Sequence, residues 1–270
     1  MKKSQISLFF IIGFISVLIL GMIYFSVNKN KFNTKTDDTL VLENEANQIK
    51  QYIEKCMYDS GFEGMFNYLA PQGGFISPKE DKIETSGYMS YDIAYWNDGL
   101  IDISPDMKDA ENILAEYVEH KAGICFKDYP KNQAEIDALE PKTVVDFNYD
   151  DTQIRMEWPI TLTYGNSIKL INSFSIRLPY NFAKDFDIAK KLIKDIIESQ
   201  PRFYDIYNNC SRYETNGKTT IHVVNYVAEV KNHVQIISIF DYEPIFTENQ
   251  KTLKFQFAIR NITAMGYCDA

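Results

Sequence analysis

The chain holds four cysteines, Cys56, Cys125, Cys210 and Cys268, and these are the residues with the clearest chemical prospects. No C-x-x-C pair occurs among them and no histidine stands at zinc spacing, so the pattern is not that of a structural metal site. Disulfides are the chemistry that remains. Four cysteines allow three connectivities. Sequence proximity, and the position of the first two late on the apolar faces of two expected helices, favour Cys56 with Cys125 and, by elimination, Cys210 with Cys268. Such bridges form in oxidising compartments, so the cysteine-bearing part of the chain is expected outside the cytoplasm. The tripeptides Asn209-Cys210-Ser211 and Asn261-Ile262-Thr263 point the same way and make Asn209 and Asn261 candidate glycosylation sites.

Other reactive residue types lack the company that chemistry demands. The three histidines, His120, His222 and His233, sit in no nucleophile or metallohydrolase motif. Asp146, Asn148, Asp150 and Glu157 stand where an EF-hand calcium loop has its ligands. The position that needs glycine for the sharp turn is Asp151, however, and the flanks read as strands. Gly217-Lys218-Thr219 imitates the end of a phosphate loop, but Arg212 occupies the place of the first glycine, so Asn216-Gly217 reads as a turn. Gly73-Gly74 after Pro71 is likewise a turn. Carboxylates are too abundant to single out an acid and a base. No cofactor, no metal and no catalytic residue is expected.

The elements that carry these residues begin with an uninterrupted apolar stretch, residues 6–27, without a single charge. At about 1.5 Å per residue it makes a helix of roughly 33 Å, enough to cross a hydrocarbon core of about 30 Å. It is longer than the apolar part of a secretory signal and no small-x-small cleavage site follows it, so it is expected to stay as a single-pass anchor in membrane lipid. Lys2 and Lys3 precede it while Lys29, Lys31 and Lys35 follow, a nearly balanced count. The disulfides therefore decide the topology, with the amino terminus inside and the rest of the chain outside.

Residues 28–38 read as a short polar linker. From Leu42 the apolar residues Ala46, Ile49, Ile53 and Cys56 recur in steps of four and three, an amphipathic helix expected to break around Gly61 and Gly64. It either packs on its own domain or continues the membrane helix towards a coiled-coil or filament contact. In residues 88–96, Met89, Tyr91, Ile93 and Tyr95 share one face of a strand. Ser104-Pro105-Asp106 has the chemistry of a helix start, and Ala110, Leu114, Tyr117, Val118 and Cys125 form a stripe along the helix that follows, ending near Gly123. From Thr143 the apolar period becomes two, through turns at Asp150-Asp151 and Gly165-Asn166, which is an antiparallel meander. A third helix over residues 181–199 carries Phe182, Phe186, Ala189, Ile193 and Ile196 on one face. A short helical turn through Phe203, Ile206 and Tyr207 leads to a second meander over residues 219–230, 233–242 and 251–262.

At the amino terminus, Lys2-Lys3-Ser4-Gln5-Ile6-Ser7-Leu8 followed by the apolar run resembles the class III signal peptide of archaeal type IV pilins. The resemblance implies cleavage between Ser4 and Gln5 and self-association through the amino-terminal helix. Phe9 stands where that pattern usually has a glutamate. Further along, Tyr52-Ile53-Glu54-Lys55-Cys56, Gln72-Gly73-Gly74-Phe75-Ile76 and the helix reaching Cys125 resemble an uncharacterised archaeal family of single-span surface proteins, which implies no activity.

Charge is segregated. Five of the 28 Lys+Arg and none of the 37 Asp+Glu lie in residues 1–35, which leaves 23 basic against 37 acidic side chains, a net −14, for the remainder. So acidic a surface repels nucleic acid. With 45% hydrophobic residues the chain can bury a substantial core. The expectation is an α+β protein: one N-terminal transmembrane helix, then an ectodomain of antiparallel β-meanders with packing helices. It divides into a leader and anchor (residues 1–35), a helix-rich membrane-proximal part (36–135) and a part built on the two meanders (136–270). Functionally this describes a non-enzymatic, pilin-like or structural surface protein at the cell membrane. The alternatives are a ligand- or glycan-binding ectodomain, with an aromatic cleft near residues 88–96, and, less favoured, a surface-anchored enzyme.

Overall fold

The structure, a computed structural model, describes residues 4–78, 82–84, 92–130, 134–198, 203–205, 219–226, 234–241, 253–260, 263–265 and 267–269. Within these, residues 4–12, 25–37, 84, 203–205, 219–226, 241, 263–265 and 267–269 are described in backbone only. The fold is α+β, and its sheets are antiparallel apart from one parallel two-stranded pair. Three α-helices, α1 (Ser4–Glu63), α2 (Met107–Lys127) and α3 (Phe182–Glu198), accompany a π-helical stretch, Gly64–Leu69, that continues α1. The strands are β1 (Lys82–Glu84), β2 (Asp92–Ala94), β3 (Asn97–Asp98), β4 (Ile101–Asp102), β5 (Glu135–Ala138), β6 (Lys142–Phe147), β7 (Thr152–Tyr164), β8 (Ser167–Leu178), β9 (Phe203–Asp205), β10 (Thr219–Tyr226), β11 (Val234–Asp241), β12 (Leu253–Arg260), β13 (Thr263–Met265) and β14 (Tyr267–Asp269). Among the described residues no helix is long and apolar enough to cross a membrane. Of residues 6–27, those described with side chains are 13–24.

Two compact units make up the chain. The first comprises Met1–Gln51, Pro130–Leu139 and Pro159–Asn172. In it β5 pairs antiparallel with the later part of β7, from Glu135 opposite Thr163 to Ala138 opposite Ile160. Leu42, Ala46 and Ile49 of α1 are buried at the expected positions. The Lys169 ammonium of β8 meets the Glu43 carboxylate of α1 at 2.6 Å.

The second unit comprises Tyr52–Tyr129, Glu140–Trp158 and Ser173–Ala270. In it β6 pairs with the earlier part of β7, from Lys142 opposite Glu157 to Phe147 opposite Thr152. A four-stranded sheet runs in the order β12-β11-β10-β14. Strand pleating sends alternate residues to opposite faces, and both faces of β11 and β12 are covered. On one, Val234, Ile236 and Ala258 cluster with Ile83 and Ile93 of the β1–β2 hairpin and with Tyr95. On the other, Phe255 and Phe257 lie against Trp96, and Phe255 also against Phe182 and Phe186 of α3. The predicted α3 stripe, Phe182, Phe186, Ala189, Ile193 and Ile196, is entirely buried.

Several local expectations are corrected. Residues 28–38 are not a linker but part of α1, since the stretch contains neither proline nor glycine and nothing in it obliges the helix to stop. The regular α-helix ends at Glu63, inside the expected Gly61 to Gly64 range, and the chain goes on as the π-helical stretch from Gly64. A Cβ on Gly61 would come within 2.7 Å of Ile154 Cδ1, and one on Gly64 within 2.7 Å of the Tyr117 ring, so these glycines permit close packing. The cap of α2 is Asp106 and not Ser104, whose hydroxyl is already committed to Asp102. Gly123 lies inside α2, which continues to Lys127. Of the expected helical turn through Phe203, Ile206 and Tyr207, Phe203–Asp205 is instead a strand paired parallel with β13, and Ile206 and Tyr207 lie outside the described residues. Of residues 88–96, those before Asp92 lie outside the described residues, as does the turn at Asn216-Gly217.

Candidate functional site

Cys56 and Cys125 form the expected disulfide, with Cα atoms 6.1 Å apart. Helical periodicity puts Cys56 on the buried face of α1, beside Ile53 and Met57, both wholly inaccessible. Tyr52, one turn earlier, donates its hydroxyl to the carbonyl oxygen of Cys125 at 3.1 Å. The Tyr52 ring meets Tyr129 edge-on at 5.1 Å, and Phe126 packs edge-on against Trp158 at 4.9 Å. Apolar rings thus surround the bridge where α1 and α2 join. Cys210, Asn209 and Asn261 lie outside the described residues. Cys268 lies in β14, where its Cα is opposite Ile221, and its side chain is outside the description. Ser4 and Gln5 open α1, also without described side chains.

Two glutamates that the sequence reading passed over hold the edge of β6. The Thr143 N–H donates to Glu119 Oε2 at 2.8 Å, and the Phe147 N–H donates to Glu111 Oε1 at 3.2 Å. Ala115, buried, sits halfway between them on α2. The signal was present in the spacing Glu111, Ala115, Glu119, which places two carboxylates and a small residue on one helical face.

The arrangement closest to a catalytic one is Asp102, Ser104 and Lys190. Ser104 donates its hydroxyl to Asp102 Oδ1, and Lys190 Nζ donates to Ser104 Oγ at 2.6 Å and to the Pro105 carbonyl oxygen at 3.4 Å. The ammonium is 3.6 Å from Asp102 Oδ2 and 6.0 Å from the centre of the Trp96 ring. An activated serine needs a partner strong enough to take its proton. Here the lysine donates, and a carboxylate is far too weak a base for an alcohol. The cluster ties α3 to the segment entering α2.

Two of the four EF-hand positions, Asp146 and Asn148, are engaged in local pairs. Asp146 pairs with Arg155, Asp151 pairs with Arg177 at 2.7 Å, and Asn148 Nδ2 donates to Asp151 Oδ1 at 2.9 Å. No group of metal-ligating side chains occurs among the described residues. Ile93, Ala94 and Trp96 are buried, so this part of the aromatic strand is core rather than a platform. His120 is exposed.

Burial, and then the Glu63 carboxylate, hold the Tyr117 phenol far above its ordinary value of 10.0. Burial raises Tyr180 as well and lowers Lys254. Comparison of the chain with protein-family models, with curated proteins and with solved structures returns no match.

Proposed function

We propose that the chain is a membrane-anchored surface protein of structural, non-enzymatic character. In this reading α1 crosses the bilayer through residues 6–27 and presents the disulfide-bonded remainder outside the cytoplasm. The observation that carries it is the bareness of an apolar helix. Every residue from 13 to 24 is exposed, with Phe14 at 68%, Val17 at 67%, Leu20 at 65% and Tyr24 at 72%. A Cβ added at Gly13 or Gly21 would meet nothing within 4 Å. A helix that is apolar on all sides has to be covered, by a core or by lipid. The Cys56–Cys125 bridge favours an oxidising compartment for the head. Its charged clusters are engaged in structural pairs, which suits a scaffold better than an enzyme.

The test is alkaline carbonate extraction of cells expressing the full chain, followed by protease treatment of intact cells. The chain should stay in the membrane pellet, and the part beyond residue 51 should be digested from outside. Release into the carbonate supernatant removes the anchor, and a head protected until the cells are lysed reverses the topology.

A further inference from the structure

We infer that the outer edge of β6 is a covered pairing edge, closed by α2 and matched to the same strand of a second copy of this chain. The inference does not depend on where the chain resides. A strand edge exposes backbone N–H and C=O groups that pair with any strand that reaches them. On β6 two outward amides, Thr143 and Phe147, are occupied by side chains rather than by backbone. The geometry of the cover is a matched ruler. Glu111 and Glu119, eight residues apart on a helix, are separated by about 12 Å along its axis. Thr143 and Phe147, four residues apart on a strand, are separated by about 13 Å. Helix and strand run in opposite directions, so that Glu119 meets Thr143 and Glu111 meets Phe147. Buried Ala115 lets the helix come close over the middle of the strand.

The strand we match to this edge is β6 itself. In a two-fold antiparallel pairing about Val145, Thr143 of one copy stands opposite Phe147 of the other, so each outward amide meets an outward carbonyl. The same register sets Lys142 diagonal to Asp146 of the other copy, a carboxylate it would share with Arg155 of that copy. Val144, already 40% exposed, adds an aliphatic contact across the pair.

The experiment uses the full chain in detergent micelles and a fluorescent peptide of residues 141–149 as the probe strand. Wild type and the Glu111→Gln, Glu119→Gln variant, which keeps two side-chain acceptors, should ignore the peptide. The Glu111→Ala, Glu119→Ala variant should bind it and shift to a larger particle. Hydrogen exchange at Thr143 and Phe147 in this variant should quicken about tenfold or more, as expected when a bond to a charged acceptor is lost. Should the double alanine chain lose its fold, the single Glu119→Ala chain replaces it, with the Thr143 amide as readout. A folded alanine variant that binds the peptide no better than wild type overturns the inference. So does equal binding of a scrambled peptide.

Discussion

Tyr52 donates its hydroxyl to the carbonyl oxygen of Cys125 at 3.1 Å, while Cys56, one turn further along α1, is bonded to the sulfur of the same residue. Cys125 is therefore held through its backbone and its side chain by two residues of one helix face. The two ties differ in kind. The covalent one restricts the unfolded chain, whereas the hydrogen bond exists only in the folded one.

The bridge closes a loop across a sequence separation of 69. In the chain-entropy picture this contributes about 4 kcal/mol. A Cys56→Ser, Cys125→Ser variant should lose about that much, which for a chain of this size lowers Tm by about 10 °C. Tyr52→Phe should cost only about 1 kcal/mol. Thermal unfolding with and without reductant separates the two. Reductant that leaves the wild-type transition in place, with both thiols trapped as free, speaks against a stabilising bridge.

Trp96 is the second point where several segments depend on one residue. It is fully buried, donates Nε1–H to the Gly73 carbonyl at 3.0 Å, and stacks on Phe257 at 4.6 Å. Trp96→Ala should cost about 3–5 kcal/mol. Trp96→Phe keeps most of the packing but leaves a buried carbonyl unpaired, at about 1–3 kcal/mol. Gly73 has φ +76°, and a Cβ there would lie 3.1 Å from both Gln256 O and Trp96 Nε1. Gly73→Ala should therefore destabilise by about 1–3 kcal/mol, although it is the smallest replacement available. Urea unfolding followed by far-ultraviolet circular dichroism gives all three values. Equal stability of Gly73→Ala and wild type is the outcome at odds with this account.

The Tyr117 phenol predicts an alkaline limit. Its pKa in the folded chain is raised above the ordinary 10.0, first by burial and then by Glu63. The folded state thus holds the phenolic proton more tightly than the unfolded state does. The resulting stability is complete below about pH 10 and is lost as pH rises beyond it towards the folded value. Wild type should lose stability above pH 10, and Tyr117→Phe should lose less over the same interval. Identical alkaline slopes for the two chains would mean that Tyr117 ionises freely.

Helix faces and strand alternation were the legible part. The steps from Leu42 to Cys56 and from Phe182 to Ile196 became buried stripes because a 3.6-residue period is a local property. The Cys56–Cys125 pairing followed from the same stripes. What was not legible depended on partners distant in sequence. β9 exists because β13 lies beside it, and Phe203 alone carries no sign of that. Glu111 and Glu119 carried no sign of their partners because the amides they satisfy belong to β6. Gly61 and Gly64 marked the end of α1 correctly, but their close packing against Ile154 and Tyr117 exists only in the folded chain.

The basic residues before the apolar stretch make a separate prediction. If a prepilin-type peptidase recognises Lys2-Lys3-Ser4-Gln5, the mature chain begins at Gln5 and loses two of its amino-terminal lysines while keeping the residues of 6–27 intact. Mass spectrometry of the membrane-bound form reads the terminus directly. A terminus at Met1 removes the pilin-like processing, and one beyond residue 27 removes the anchor.

The unbroken course of α1 through residues 28–38 makes the last one. A flexible linker with three lysines, Lys29, Lys31 and Lys35, would be the preferred trypsin site of the whole chain, because proteases bind extended backbone. A helix has to unfold locally before it can be cut, and its cleavage rate is set by that opening. Asn33→Pro removes one helical hydrogen bond and clashes with the preceding turn, at about 3 kcal/mol. Since an energy of this size corresponds to about a hundredfold in an equilibrium, trypsin should cut the proline variant about a hundred times faster at Lys29, Lys31 or Lys35. Asn33→Ala, which favours helix, should be cut more slowly than wild type. Equal cleavage of all three chains would mean that this stretch is open in solution and that α1 is two helices.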